Sequence, residues 1–370
     1  MAWHLKPPYL ARVRECRPDI GYLHTGFEKS YESHTYQQCI PFTDRMDYLA
    51  PVINNLGFAL AVERLLDVEV PARAQYLRVI MCELNRIASH LLWFGTGAQD
   101  IGAITPFLYS WREREKVLDI NELVSGVRMH TSYIRVGGLL ADVPDGFYEL
   151  VEEVLGIFPG MFDEYDTLIS GNPIFRQRTM GIGVISAADA TAYGLTGPSL
   201  RGSGVAFDLR KAQPYSSYDH FDFDIPVGSQ GDVYDRYLVR MQEMRESLKI
   251  IDQALHNLPE GPVNTVDRRV APPPRNEINT SMESLIRHFK LYTEGFRTPR
   301  GSLYQAVESA RGELGYYIVS DGSNRPYRVK VRAPSFSNLA ALPQMARGGF
   351  IADVVAIIGS IDIVLGDVDR

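Results

Sequence analysis

Apolar residues recur at steps of three and four through most of the first two-thirds of the chain, the period of a helix with one buried face. Leu49, Val52, Leu56, Leu60 and Leu65 form one such stripe and predict a helix over residues 46–66. Leu77, Ile80, Leu84, Ile87 and Leu91 predict another behind Pro71, a residue suited to a helix's first position because its missing N–H has no partner there anyway. Pro106 opens a third, which the Gly137-Gly138 pair ends at the latest. Residues 145–169 read as a fourth, and 232–258 as a fifth, with Val233, Tyr237, Met241, Met244, Leu248, Ile251 and Leu255 on one side.

The last third changes character. Residues 221–225 alternate apolar and polar, as a half-buried strand does. Residues 315–320 and 325–332 read as two strands around the turn Asp321-Gly322-Ser323-Asn324. Residues 271–274 are a proline-rich connector, and 350–370 pair a short apolar helix with an acidic tail-piece. No internal repeat or low-complexity segment interrupts the pattern. The expectation is a single α+β domain over 1–370, predominantly helical with smaller antiparallel β regions.

Composition narrows the function. With 45% hydrophobic and 22% charged residues, the chain can bury a sizeable core. Its 38 basic and 45 acidic residues give a net charge of −7 with no basic block, so nucleic acid is not an expected partner. Cys16, Cys39 and Cys82 are too few and too scattered for a disulfide framework or a four-thiolate metal site, and a reducing compartment fits. No apolar run approaches the roughly twenty residues that span a bilayer, and the N-terminus has no signal core. Any membrane link is therefore expected through partners.

Dinucleotide, P-loop, zinc-protease and nucleophile-elbow motifs are all missing. What remains is a set of polar residues inside apolar helical text: Asp47, Tyr48, His90, Asp100 and His130. Each has a structural reading beside a chemical one. His90 is expected to be a hydrogen-bonded packing histidine, His130 a residue stabilising a helix end, Tyr48 a core residue, and Asp100 a cap or a costly buried carboxylate.

Longer blocks carry more. Asp19–Lys29, Arg45-Met-Asp-Tyr48, Asp100-Ile-Gly-Ala-Ile-Thr-Pro106 and Arg112-Glu-Arg-Glu115 run in order with Leu200–Gly204, Asp208-Leu-Arg-Lys211 and Thr280–Ser284. His288–Gly295, Tyr317–Gly322 and Gly366-Asp-Val-Asp-Arg370 complete the series. From about Val13 to Arg370 the sequence resembles the D-subunit family of the proton-pumping NADH–quinone oxidoreductase, respiratory complex I. That family is related to the large subunit of nickel–iron hydrogenases, which hold their metals through an early R-x-C-G-x-C and a late D-P-C-x-x-C motif. Arg45–Ala50 and Asp362–Asp367 look like these motifs with the thiols lost, Val364 and Asp367 standing in the late cysteine places. Such a metal site requires soft thiolates, so neither a metal nor hydrogenase activity is expected.

The resemblance implies a hydrogenase-large-subunit-like helical core whose vacated metal cavity became a quinone headgroup site. In the family, the tyrosine matching Tyr48 donates to the headgroup, and the aspartate matching Asp100 pairs with a histidine and helps reprotonate it. Val364 matches a pocket-lining residue. Arg45 and His130 match residues beside a tetranuclear iron–sulfur cluster held by the neighbouring B subunit. The further partners implied are the C and I subunits and the membrane-embedded H subunit, on the cytoplasmic side of a bacterial inner membrane. The chain would bind no cofactor of its own, take quinone as substrate and be inactive alone.

One departure concerns the histidine partner of Asp100, which the family carries in an N-terminal hairpin of the form G-P-x-H-P-x-x-H-G. Met1–Arg12 holds His4, Pro7 and Pro8 without that pattern. A start assigned too far downstream is the preferred account; a truly absent hairpin, or His4 as a substitute, are the others. The rival functions are a truncated non-catalytic scaffold and the same role in a ferredoxin-fed relative. His24 reads as structural, and Thr25 stands where mitochondrial relatives carry arginine.

Overall fold

A 29-residue helix, Ala72–Asp100, runs through the middle of the computed structural model, which describes residues 11–370. Its predicted apolar stripe, Leu77 to Leu91, is fully buried, but so are Arg78, Glu83, Arg86 and His90 on its other faces. A helix buried all round needs neighbours on every side. Here they are Ile104–Ser125, Val233–His256, Ile351–Ile361 and Pro51–Leu66. We label the principal helices α1 (Tyr36–Met46), α2 (Pro51–Leu66), α3 (Ala72–Asp100), α4 (Ile104–Ser125), α5 (Phe147–Tyr165), α6 (Val233–His256), α7 (Met282–Thr293), α8 (Ile351–Ile361) and α9 (Leu365–Asp369).

Local chemistry explains most of the ends. Pro71 sits one place before α3 rather than inside it. Pro106 is the third residue of α4, still within the first turn, where no intrahelical N–H is lost. Gly126, at φ 77°, closes α4 well before the Gly137-Gly138 pair, its N–H donating to Glu122 O. Asp232 caps α6 by accepting from the Asp235 N–H at 2.8 Å. The expected helix over 145–169 is α5 continued by a π-helical turn, Asp166–Ser170.

Two expectations fail. Residues 221–225 do alternate in burial, with Phe221 and Phe223 inside, yet they pair with no strand. Side chains of α6 meet their backbone instead: Asp222 N donates to Gln253 Oε1 at 2.9 Å, Gln253 Nε2 to Asp222 O at 2.7 Å, and Asp224 N to Glu246 Oε2 at 2.9 Å. The stripe over 46–66 is the second failure: α1 ends at Met46, residues 47–50 form a break that includes Leu49, and α2 begins only at Pro51.

The sheet is antiparallel and three-stranded, β1 (Gly301–Ser309), β2 (Gly312–Ser320) and β3 (Arg328–Arg332) in that order. The alternating text predicts β2 and β3 but not β1, which pairs with β2 from Gly301↔Ser320 to Ser309↔Gly312. A two-stranded hairpin joins Ile134–Arg135 to Gly138–Leu139. Helix α2 lies across β1 and β2, and α9 returns the C-terminus to α1. The architecture is thus the expected helix-dominated α+β fold with small antiparallel sheets.

Candidate functional site

The break between α1 and α2 is held by one carboxylate. Asp47 leaves the helix at φ −115°, ψ 84°. Its Oδ1 accepts from the N–H groups of Leu49 and Ala50, both at 3.2 Å, just ahead of Pro51, which opens α2. Its Oδ2 accepts from Arg311 Nη1 at 2.9 Å. Arg311 lies in the tight β1–β2 connection and is fully buried. Its Nη2 stands 3.6 Å from Asp362 Oδ1, where the chain leaves α8 in a left-handed conformation at φ 50°.

The C-terminal segment closes against the break. Gly366 packs so tightly that a Cβ there would meet Met46 O at 2.6 Å and both Arg45 O and Tyr48 Cε1 at 3.3 Å. Val364 N donates to Ser335 Oγ at 3.3 Å, and Ser335 N donates to Asp367 Oδ2 at 2.9 Å. The two segments resembling the early and late metal motifs therefore meet, and Asp47, Ala50, Val364 and Asp367 are all buried, at 2% exposure or less. Tyr48 is half-buried, outside any helix, with its ring against Gly366.

Arg311 faces three buried carboxylates here, one of which, Asp362, also acts on the buried Arg240, and the electrostatics reflect it. Burial pushes the Asp367 carboxyl up to about 6, and the neighbouring Asp47 adds to the effect. Burial also raises Asp47, against the pull of Arg311. Burial opposes charge on Arg311 too, but Asp362, Asp47 and Asp367 outweigh it and hold the guanidinium above its ordinary value.

A second buried carboxylate, Asp44, feels the charges of Arg45 and His130. Asp44 is fully buried, accepting from Asn55 Nδ2 at 2.9 Å and Ser132 Oγ at 2.5 Å. Burial raises its carboxyl, while Ser132, Asn55, His130 and Arg45 draw it back down. Arg45 is exposed and donates to Pro41 O at 2.7 Å. His130 is half-buried, lies beyond the end of α4 at Ser125, and keeps its Nδ1 unpartnered among the described residues. The helix-end reading of His130 therefore fails, and Asp44 is a site residue that sequence reasoning missed.

Asp100 stands apart from this group. It is the last residue of α3, exposed, at the end of a helix dipole that disfavours a carboxylate, so it is neither a cap nor a buried charge. It lines a small apolar cleft with Phe94, Ile101, Tyr237, Val355 and Gly359. Gly359 and Ser360 of α8 also face this cleft, three and two residues before Asp362. His24 Nδ1 donates to Asp369 O at 2.7 Å, and the Asp369 carboxylate accepts from the Gly21 and Leu23 N–H groups, a structural tie. His4, Pro7 and Pro8 lie outside the described residues.

The largest feature that sequence reasoning missed is a buried ionic network. Arg86, Arg201 and Arg210 face Glu83, Asp208, Glu243 and Glu308, every one at most 1% exposed. Arg201 donates to Glu308 at 2.8 Å, Arg210 to Asp208 at 2.7 Å and Glu83 at 3.1 Å, and Arg86 to Glu243 at 3.3 Å. The blocks 200–204 and 208–211 are part of this network. His90 joins it without the expected hydrogen bonds: it is fully buried, its Nε2 is 3.4 Å from Glu243 Oε2, and neither ring nitrogen has a properly directed partner among the described residues. Cys39 and Cys82 are free, and burial pushes both thiols up, so neither is poised to be a thiolate.

Comparison with known proteins decides the family. The sequence matches the family described as respiratory-chain NADH dehydrogenase, 49 Kd subunit, over residues 100–370. It is 59% identical over 356 residues to the second NADH-quinone oxidoreductase D subunit of Chloroflexus aurantiacus, covering 95% of this chain and 87% of that one. The D subunit of Geotalea uraniireducens is 57% identical over 358 residues, covering 97% and 92%. The chain belongs to the D-subunit family of NADH-quinone oxidoreductase. The second D subunit of a Roseiflexus species, 60% identical over 361 residues and covering 97% and 87%, agrees. Membership makes this chain one subunit of a larger oxidoreductase, with other subunits of that complex as its partners. Among the described residues no helix is long and apolar enough to cross a membrane, and no three His, Cys, Asp or Glu side chains are grouped to hold a metal ion.

Proposed function

We propose that this subunit forms most of the chamber in which a quinone headgroup is reduced to quinol, within a proton-translocating complex on the cytoplasmic face of a bacterial inner membrane. The observation that carries the reading is the broken α1–α2 helix, which holds Tyr48 out of helical packing and against Gly366, beside buried carboxylates. Reducing a quinone consumes two electrons and two protons, so its site needs donors aimed at the carbonyl oxygens and proton-holding groups behind them. Tyr48 is the donor, and Asp100 is the exposed carboxylate that helps reprotonate from the other side. Val364 lines the pocket.

Arg45 and His130 border an iron–sulfur cluster carried by the B subunit, whose chemistry is to deliver the electrons. Their setting fits a border rather than ligation: an exposed guanidinium, a half-buried imidazole with a free Nδ1, and no available thiolate beside them. The C, I and H subunits complete the surroundings, and the isolated chain catalyses nothing because donor and membrane tunnel belong to other chains. The chain over 1–370 acts as one domain in this role.

The test is Tyr48→Phe in the assembled complex, read as inhibitor-sensitive quinone reductase activity. The expected result is a loss of at least about tenfold with assembly and cluster reduction intact, since one lost donor in a water-poor site costs at least that much. Unchanged turnover overturns the reading. A wild-type complex that assembles without turning over identifies the chain as a scaffold.

A further inference from the structure

The hairpin of Ile134–Arg135 and Gly138–Leu139 is held from inside. Ile134 is fully buried, Arg78 Nη2 donates to Arg135 O at 2.8 Å and to Gly138 O at 2.9 Å, and Gly137 N donates to Glu63 Oε1 at 2.7 Å. Successive strand residues point to opposite faces, so the Arg135 side chain is turned the other way, into a cleft of about 360 Å³ shared with α1 and α7. Ile40, Leu139, Val270 and Phe296 make its walls apolar, and among the described residues Arg135 is the one charged residue lining it. The guanidinium is left without a counter-ion. Its Nε is buried with no hydrogen-bond partner among the described residues, and Asp44, the carboxylate whose charge reaches it, is already taken by Asn55 and Ser132. A lone cation against apolar walls is costly, and a carboxylate accepting two of its N–H groups is the group whose geometry matches it. Gln38, whose Oε1 accepts from the Thr35 N–H, keeps its amide NH2 as a further donor on the same wall.

Helix α7 continues this cleft outward. Its Leu291 and Tyr292 line the cleft, and from Tyr292 a stripe of Phe289, Ile286, Leu285 and Met282 runs back along the helix, every member at least half exposed. Only Ser284 and Leu291 of α7 are buried. An amphipathic helix ordinarily turns its apolar stripe inward; this one presents it to the outside. On its flank a second cleft gathers Arg268, Arg269, Arg287 and Lys290 against one carboxylate, Glu283, a local excess of positive charge on a chain of net charge −7. We propose that the Arg135 cleft and the exposed stripe of α7 together receive a segment of a neighbouring subunit, one that brings a carboxylate to Arg135, apolar side chains to α7 and further acidic residues to Arg287 and Lys290. The family makes this chain one subunit of a larger complex, so such a neighbour exists. The surface is separate from the quinone site, since neither Tyr48 nor Asp100 lines either cleft. The apolar stripe supplies the burial, and Arg135 supplies the selection, because a segment without the carboxylate would seal an unpaired guanidinium in the interface. A second copy of this chain would oppose like charges, and a flat lipid surface has no projecting side chain to enter the recess.

The experiment replaces Phe289 by photo-crosslinking benzoylphenylalanine in the assembled complex and sequences the cross-linked peptides. The expected product joins this chain to another subunit, within a segment where Asp or Glu stands among apolar residues. A cross-link to lipid, a cross-link to a second copy of this chain, or none at all in an assembled complex overturns the proposal. Arg135→Glu then sets two carboxylates against each other and should lower co-purification of the cross-linked subunit at least about tenfold. Replacing that subunit's carboxylate by arginine should restore it. Recovery unchanged by Arg135→Glu, or not restored by the reversed pair in a folded chain, overturns the proposal. Where Arg135→Glu does not fold, Phe289→Asp decides: at 66% exposure the side chain is not needed for the fold, and a charge there should lower the same recovery at least about tenfold. Unchanged recovery from Phe289→Asp overturns the proposal.

Discussion

Substituting Gly366 tests whether the meeting of the C-terminal segment with the α1–α2 break positions Tyr48. In Gly366→Ala the new methyl group meets the Met46 carbonyl oxygen at 2.6 Å, a backbone atom that cannot swing aside. Relief to ordinary contact requires the two segments to part by about 0.8 Å. Overpacking of this kind costs about 1–3 kcal/mol, a fraction of the roughly 5–15 kcal/mol that holds a domain folded, so the chain should still fold and assemble. The chemistry is less forgiving. The same methyl group presses on Tyr48 Cε1 at 3.3 Å, and misplacing a reacting group by about 1 Å can cost about a hundredfold in rate. Inhibitor-sensitive quinone reductase activity of the assembled complex should fall between about tenfold and a hundredfold. Gly359→Ala is the control: it lies inside α8, a Cβ there meets nothing within 4 Å, and alanine favours a helix. It should assemble at least as well as wild type. Full turnover from an assembled Gly366→Ala complex would refute the argument that this contact holds the tyrosine.

Two further predictions concern stability. Glu243→Gln leaves Arg86, Arg201 and His90 without their shared anion and should cost about 3–5 kcal/mol in urea denaturation followed by circular dichroism; a loss below about 1 kcal/mol would show that the network is not coupled as drawn. Asp367 has a carboxyl raised to about 6 by burial, so its contribution is fully present below the unfolded value near 4 and is lost as pH rises through about 6. Asp367→Asn, which keeps an acceptor for the Ser335 N–H, should flatten the pH dependence of stability in that window; an unchanged slope would place the titration elsewhere.

The long helices are legible because periodicity reports burial directly: α3 and α6 begin within two residues of their expected starts, and the Asp232 cap is visible in the text. Periodicity fails where side chains replace backbone partners. Residues 221–225 have a strand's alternation, but Gln253 and Glu246 satisfy their amides, and nothing in the segment itself announces that. At 46–66 the stripe continues across a gap, because Met46 and Val52 are buried on either side of it and Ala50 within it. Pro51 is the available signal of the break, and the apolar spacing outweighs it. Of the site, Arg45, Tyr48 and Val364 come from resemblance to a family; the structure sets the Arg45 backbone and the Tyr48 ring against Gly366, two residues beyond Val364. Arg311, Asp44 and the partners of Glu243 are invisible in the sequence because their meaning lies in contacts between distant segments, such as Asp47 with Arg311.

Those buried charges bear on why the fold is built this way. Three guanidiniums against four carboxylates leave the network one negative charge in excess, and burial with the neighbouring Asp208 pushes the Glu308 carboxyl up, toward holding the missing proton. Around Arg311 three carboxylates, Asp47, Asp362 and Asp367, share that cation, and Asp362 also acts on the buried Arg240. An apolar core of the same volume is often as stable as a buried ionic one, so stability alone does not explain the arrangement. A protein that must keep protons close to a reaction consuming them, yet away from water, has reason to bury more carboxylates than it neutralises. The surplus shows where burial and neighbouring charge push carboxyls up, at Asp367 beside Asp47 and at Glu308 beside Asp208.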